Sequence, residues 1–394
     1  MDATSRLSAI RSVIAGTSAA GHEGVAGRQD DVVALDPEAI LHRVSTGLDR
    51  EAGDRASAAT RHYDEARSIL IGHGTIAVRK LAAGDGAKSF SDDDLASLEA
   101  IIQFDGSRPA LALRGGGVDE DNPFIGRWID DIRGDPIGIS RCAGSVGRLE
   151  LSDGGPHSYF GTGFAVRRGG SFILTANHVL SELAKRVGRD GSNVNGVFVL
   201  GDEVRIDFNG EVNAENKRLL KVEAGMPFGR STDVALLTVR PLMSTEDPDH
   251  AELEMPSAIE CRMQRPVGGK PIPGSLCVIG FPFRFAPPRR QPDGYEVNWE
   301  WVKFHLIGGA QGVKRLAPGL PSLQPADGVS TFEHDATTAV GNSGSPAIAW
   351  KDAEHPAIGV HVSGTDFEAN KAEFLASIEE EFDRAAQILR NGIS

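Results

Sequence analysis

Disulfides cannot frame this chain. It has three cysteines in 394 residues, Cys142, Cys261 and Cys277, odd in number and widely spaced. That pattern fits neither a stapled secreted domain nor a zinc knuckle, and it implies reduced thiols and a cytoplasmic setting. No apolar run approaches the length needed to span a bilayer. The opening MDATSRLSAIRSVIAGTSAAGHEG lacks the unbroken apolar core of a secretory signal. Positive charge is in deficit: the net charge of −14 argues against nucleic acid as a main partner, because phosphate binding needs a basic face. No H-E-x-x-H occurs, so the zinc-protease pattern is absent. No metal or cofactor is expected. What remains is a globular composition, 40% hydrophobic and 24% charged, long enough for two or three domains.

Residues 1–33 are small, polar and glycine-spotted, and read as a disordered tail. Asp36-Pro37 then offers a helix cap followed by proline at the first helical position. Ile40, Leu41, Val44 and Leu48 follow at helical spacing, and Ser91 with Asp94 reads as a capping box. Residues 34–106 are therefore expected to form a small helical module, a place for a protein partner, with 107–136 as a connecting segment. After Arg108-Pro109 the texture changes, and the protease-like part is expected from 137. GTGFAV, SFILTA, EVRIDF, DVALLTV, SLCVIGF, EVNWEWVKF, SPAIAW and AIGVHVSG are strand-sized segments between glycine-rich turns. Many short strands so punctuated predict an all-β architecture, and about 250 residues of it suit two barrels. Leu375, Ile378, Phe382, Ala385 and Leu389 then share one face of a closing helix, with Asn391-Gly392 as its stop.

The chemistry lies in VGNSGSPAIAW, residues 340–350. Glycines alone describe a turn. A serine at the centre of that turn, with a buried strand directly behind it, describes a held nucleophile with backbone N–H groups aimed at a developing oxyanion. Such a serine needs a base, and the base an orienting acid. LTANHVL places His178 just after an apolar strand, and STDVALLTV places Asp233 just before another. Each has a plain alternative, a surface histidine or a turn aspartate. Together and in order they point to a site between two barrels. The α/β-hydrolase elbow G-x-S-x-G does not fit, because Ser345 stands where its second glycine belongs.

The order GTGFAV, LTANHV, DVALL, GNSGSPA, IGVHVSG resembles that of trypsin-like (chymotrypsin-fold) serine proteases. It is most similar to their bacterial branch with glutamyl endopeptidases, whose serine motif also reads GNSGSP. The segments RPALALRGG, GFPF, GVKRLAPG and HDATTAVGNSGSP further resemble intracellular bacterial proteins with a trypsin-like peptidase domain. The resemblance spans roughly residues 137–390. It implies a chymotrypsin-like double barrel with a C-terminal helix, preceded by the α-helical region, so that 137–394 form the protease domain. It makes Ser343 the nucleophile, His178 the general acid/base, Asp233 its orienter, and the N–H groups of Gly341 and Ser343 the oxyanion hole. Donors of that kind are worth about 3 kcal/mol each in the transition state.

Two departures stand out. Asn342 replaces the aspartate that pairs with a new N-terminus in trypsin-type zymogens, so activation by cleavage is not required. In HVSG, Ser363 stands where glycines are usual, and together with Val340 it alters the pocket. Thr338 and His361 match the threonine and histidine of the glutamyl branch's primary pocket, which implies cleavage after Glu or Asp. The expected activity is thus an intracellular serine endopeptidase acting on protein or peptide substrates. The alternative is a catalytically silent trypsin-fold protein that binds peptides.

Overall fold

A computed structural model of the chain describes residues 3–19, 35–53, 60–122, 124–152, 158–167, 171–189, 193–194, 196–214, 216–229, 231–242, 255–263, 274–282, 297–307, 312–321, 329–352, 354–364 and 370–391. Four helices come first: α1 (Ala3–Ala19), α2 (Pro37–Gly53), α3 (Thr60–Ala82) and α4 (Asp92–Phe104). Asp36 Oδ1 accepts the N–H groups of Glu38 and Ala39, both at 3.1 Å. Ser91 and Asp94 close a reciprocal capping box, satisfying donors that a first turn otherwise leaves unpaired.

Helix α1 departs from the tail expected over 1–33. Leu7, Ile10 and Ile14 lie along one face and are buried, and Arg6 donates to Glu99 of α4 at 2.7 Å. Tertiary burial of three apolar side chains outweighs a weak local preference. Residues 20–33 of that expected tail lie outside the described residues.

The connecting segment carries β1 (Leu111–Arg114), β2 (Gly117–Val118) and α5 (Ile129–Gly134), and runs into α6 (Pro136–Gly144). Six strands then close the first barrel: β3 (Val146–Leu151), β4 (Tyr159–Arg167), β5 (Ser171–Ala176), β8 (Val204–Asp207), β9 (Leu219–Pro227) and β10 (Val234–Pro241). Antiparallel pairing runs β3–β4–β5–β10–β9–β8 and back to β3. Helix α7 (Asn177–Arg186) follows β5, and the short β6 (Asn193–Val194) and β7 (Val197–Val199) extend the sheet beyond β9.

The second barrel is built from β11 (Leu276–Gly280), β12 (Arg315–Gly319), β13 (Thr331–His334), β14 (Pro346–Ala349), β15 (Ala357–Ser363) and β16 (Asn370–Phe374). Its order is β12–β11–β14–β15–β16–β13, and an antiparallel bridge from Pro321 to His334 completes the ring. Strand β1 adds outside β12, Leu111 opposite Leu316, so residues of the connecting segment join this sheet. The chain between the barrels is laced to both: Ile259 bridges Val166 of β4, and Cys261 bridges Ala357 of β15. This is the chymotrypsin-like double barrel.

The C-terminal α9 (Glu379–Asn391) is reached through a tight turn at Leu375–Ile378. All five residues of the expected face are buried, and Phe382 stacks on Phe228 with ring centroids 5.9 Å apart. Gly392 of the expected stop lies outside the described residues.

One strand expectation fails. Starting inside EVNWEWVKF, Trp299–Ile307 form helix α8, inserted between β11 and β12. Asn298 caps it, its Oδ1 accepting Trp301 N–H at 3.1 Å, and Trp301, Val302 and Leu306 are buried. The cap and a helical partner, α3, override the β preference of tryptophan and valine. No helix among the described residues is long and apolar enough to cross a membrane.

Candidate active site

The antiparallel register of the first barrel brings His178 and Asp233 together. Ala176, the last residue of β5, lies opposite Val234, the first of β10. The residues just beyond each end therefore share one corner. Asp233 Oδ1 accepts the main-chain N–H of His178 at 2.9 Å, and Oδ2 lies 2.7 Å from His178 Nδ1. Asn177 N–H donates to the carbonyl of Asp233 at 3.1 Å. A carboxylate gripping both the backbone and the ring leaves the imidazole one orientation, with Nδ1–H donating and Nε2 turned outward.

Ser343 sits half-buried in the loop between β13 and β14. Its carbonyl accepts Thr162 N–H from β4 at 2.8 Å, and the next N–H, of Gly344, donates to His361 O on β15 at 2.8 Å. The serine loop is thus tied to both barrels. A Cβ at Gly344 would lie 2.0 Å from Thr162 O and 3.0 Å from Ala176 N, so the loop presses on the end of β5, two residues before His178. No hydrogen bond joins Ser343 Oγ to His178 among the described residues. In ligand-free hydrolases that bond commonly tightens only when substrate arrives.

The oxyanion donors are a matter of peptide orientation. Gly341 has φ +106°, a region closed to most side chains, and a Cβ there would meet Phe281 O at 2.3 Å. Asn342 O accepts Ser345 N–H at 2.9 Å. Because N–H and C=O oppose each other in a trans peptide, this turns Ser343 N–H to the other side. The N–H groups of Gly341 and Ser343 have no acceptor among the described residues. Asn342 itself is buried, its Oδ1 receiving Ser345 Oγ at 3.4 Å.

The pocket residues separate. Val340 is 67% exposed at the rim, and Ser363 is exposed at the end of β15. Thr338 Oγ1 donates to Asn370 Oδ1 at 2.6 Å, so its proton is already used, and Asn370 Nδ2 in turn donates to Ala336 O at 2.8 Å. His361 is buried, with Nδ1 3.2 Å from Nε2 of His334 on β13. Burial pushes His334 down to about 3. Burial, with the neighbouring His334 and His178, holds His361 well below the usual histidine range. His334 carried no sequence signal, since only the pairing of β13 and β15 on either side of β16 brings the two rings near. Glu373 on β16 was also unforeseen. Its Oε1 accepts Asp233 N–H at 3.4 Å, and burial raises its carboxyl, as does the charge of Asp233. Cys142 and Cys277 are buried thiols, the first pushed up to about 11 by burial. No cluster of three metal-binding side chains occurs among the described residues.

A family model described as trypsin-like peptidase domain matches residues 161–360. A Lysobacter enzymogenes protein named a probable serine protease is 33% identical over 328 residues, 79% of this chain and 80% of that protein. The chain belongs to the trypsin-like peptidase family. As such it is a serine endopeptidase. Among solved structures, the trypsin-like peptidase is similar to the Vibrio cholerae VesB protease, at 11% identity and TM-score 0.38 over 60% of this chain and 62% of that one. It is also similar to a serine endoprotease of Yersinia pestis, at 15% identity and TM-score 0.37 over 65% of this chain and 66% of that one.

Proposed function

We propose that the protein hydrolyses peptide bonds through an acyl-enzyme formed on Ser343. Ser343 Oγ attacks the scissile carbonyl carbon while its proton passes to His178 Nε2. The C–N bond then breaks as His178 returns that proton to the leaving amine. Water attacks the acyl carbon, gives a proton to His178, and releases the acid and a free serine. Asp233 holds the imidazole and stabilises it when charged. The N–H groups of Gly341 and Ser343 receive the oxyanion in both tetrahedral steps. The two-point grip of Asp233 on His178, beside a serine loop with two unclaimed N–H groups, carries this reading.

In the same reading the peptide is cut after Glu or Asp, with His361 as the donor. Thr338 can only accept once its proton goes to Asn370, so the burden of holding a carboxylate falls on the imidazole. Buried, unreactive thiols at Cys142 and Cys277 suit a reducing, cytoplasmic setting. The test against a silent peptide-binding protein is labelling with a fluorophosphonate. Ser343 is expected to be modified, and Ser343→Ala to be inert. A native chain that resists the probe yet binds peptide marks the silent alternative.

A further inference from the structure

Thr162, fully buried on β4, touches the serine loop with its side chain as well as its backbone. Its hydroxyl donates to Gly341 O at 2.9 Å and accepts the N–H of Phe281, just past β11, at 3.1 Å. Its N–H donates to Ser343 O at 2.8 Å, and its own carbonyl receives the Thr175 hydroxyl of β5 at 2.7 Å. We propose that Thr162 is a positioning residue for the oxyanion hole, its hydroxyl holding the peptide planes of the serine loop from the opposite barrel. The proposal rests on Ser343 being the nucleophile.

A hydroxyl has one proton to give. Here it goes to Gly341 O, and a lone pair is used by Phe281, so the rotor has no freedom left. Gly341 O belongs to the same peptide as Asn342 N–H, which donates to Ala339 O at 3.0 Å. That plane is fixed at both ends. Ser343 O shares its peptide with Gly344 N–H, bonded to His361 O, so that plane is fixed too. Between them only Ser343 N–H is left to face a substrate. Glycine at 341 and 344 makes other backbone conformations accessible at little cost. A loop released at Gly341 can rotate a carbonyl toward the oxyanion in place of an N–H, and the transition state then loses a donor. Tyr159 of β4 also packs against Gly341, but the Thr162 hydroxyl is the hydrogen bond from the opposite barrel that holds the Gly341 carbonyl.

Thr162→Val keeps the shape, the N–H bond and the carbonyl bond, and deletes only the hydroxyl. Thr162→Ser restores it. The variants are compared for kcat and KM on a peptide substrate, with active sites counted by fluorophosphonate titration, and for affinity toward a peptidyl boronic acid, which forms a tetrahedral adduct on the serine. For Thr162→Val, kcat per titrated site is expected to fall about 10- to 100-fold with KM within about twofold. Boronate affinity should fall by a similar factor, and Thr162→Ser should stay within about threefold of the native enzyme. Unchanged kcat per site in Thr162→Val, with only thermal stability lost, overturns the proposal. So does a serine variant as impaired as the valine one. Should Thr162→Val not fold, Thr175→Val loosens Thr162 from behind and is expected to lower kcat less, again without raising KM; no change in kcat there also counts against it. A fluorophosphonate adduct on Ser343→Ala is a separate failure, that of the nucleophile assignment.

Discussion

Nε2 of His334 and Nδ1 of His361 lie 3.2 Å apart inside the second barrel, and the other ring nitrogen of His334 is buried with no partner among the described residues. Burial keeps both rings neutral. A bare buried lone pair is better tolerated than a bare buried N–H, so the proton of His334 belongs on Nε2, donating to His361 Nδ1. His361 then carries its own proton on Nε2. The pair presents a neutral N–H donor, which is what a carboxylate side chain of a substrate needs.

Peptides with Glu or Asp before the cut are therefore expected to be preferred over those with Lys, Arg or Phe. A hydrogen bond to a partly desolvated carboxylate gives about ten- to hundredfold discrimination in rate. His361→Leu should erase the preference while Ser343 stays reactive toward a small fluorophosphonate. His334→Phe should weaken it by freeing the tautomer of His361. A peptide-library digest reads all three, and cuts after basic or small residues by the native enzyme would show that His361 serves only the barrel.

Removal of either reacting group should abolish turnover. Ser343→Ala and His178→Ala are each expected to lose nearly all peptidase activity, and the double variant to be no worse than either single one, because the groups act as a unit. Asp233→Asn should retain more, with kcat down about ten-thousandfold. The amide still accepts His178 N–H but can present a donor to Nδ1, favouring the wrong tautomer. Steady-state kinetics of the four variants decides it; additive losses would contradict a shared step.

Lys314 supplies a prediction in alkaline solution. It is wholly buried between the barrels, donating to Ala143 O at 2.7 Å and Phe208 O at 2.8 Å. Burial lowers its ammonium to about 8, against 10.5 for an ordinary lysine. The unfolded chain then binds the extra proton between those values, so this group makes the fold more stable as pH rises from about 8 to 10.5, by roughly 3 kcal/mol. Below pH 8 the lysine is charged in both states and the cost is constant. Denaturant melts across that range should show the native chain gaining on Lys314→Met as pH rises. Parallel stability curves would mean that the lysine titrates normally.

Much of this was legible in the residues, for reasons that differ from place to place. β5 and β10 carry the apolar runs FIL and VALL with polar residues close by, so both strands and the rim positions of His178 and Asp233 could be read directly. GNSGSP combines turn chemistry with a buried strand, and Ser343 follows from it. Helix α8 is hidden in the sequence because tryptophan and valine favour strands, while Asn298 and the surface of α3 decide the outcome. Thr162, His334 and Glu373 carry no local signal because their roles arise from contacts between distant strands and between the barrels. Thr162 meets Gly341 across 179 residues and Phe281 across 119. No local pattern encodes such a meeting.

Helix α8 also ties the two parts of the polypeptide into one object. It leaves the second barrel, seats Trp301 edge-on to His62 at 5.7 Å, and hands the indole N–H of Trp299 to Asp93 of α4 at 2.9 Å. A protein trimmed of its first hundred or so residues would lose the partners of both tryptophans, Trp299 and Trp301, and leave those rings uncovered. Such a fragment would aggregate or recruit company, so the helices travel with the barrels as an integral wall of the enzyme.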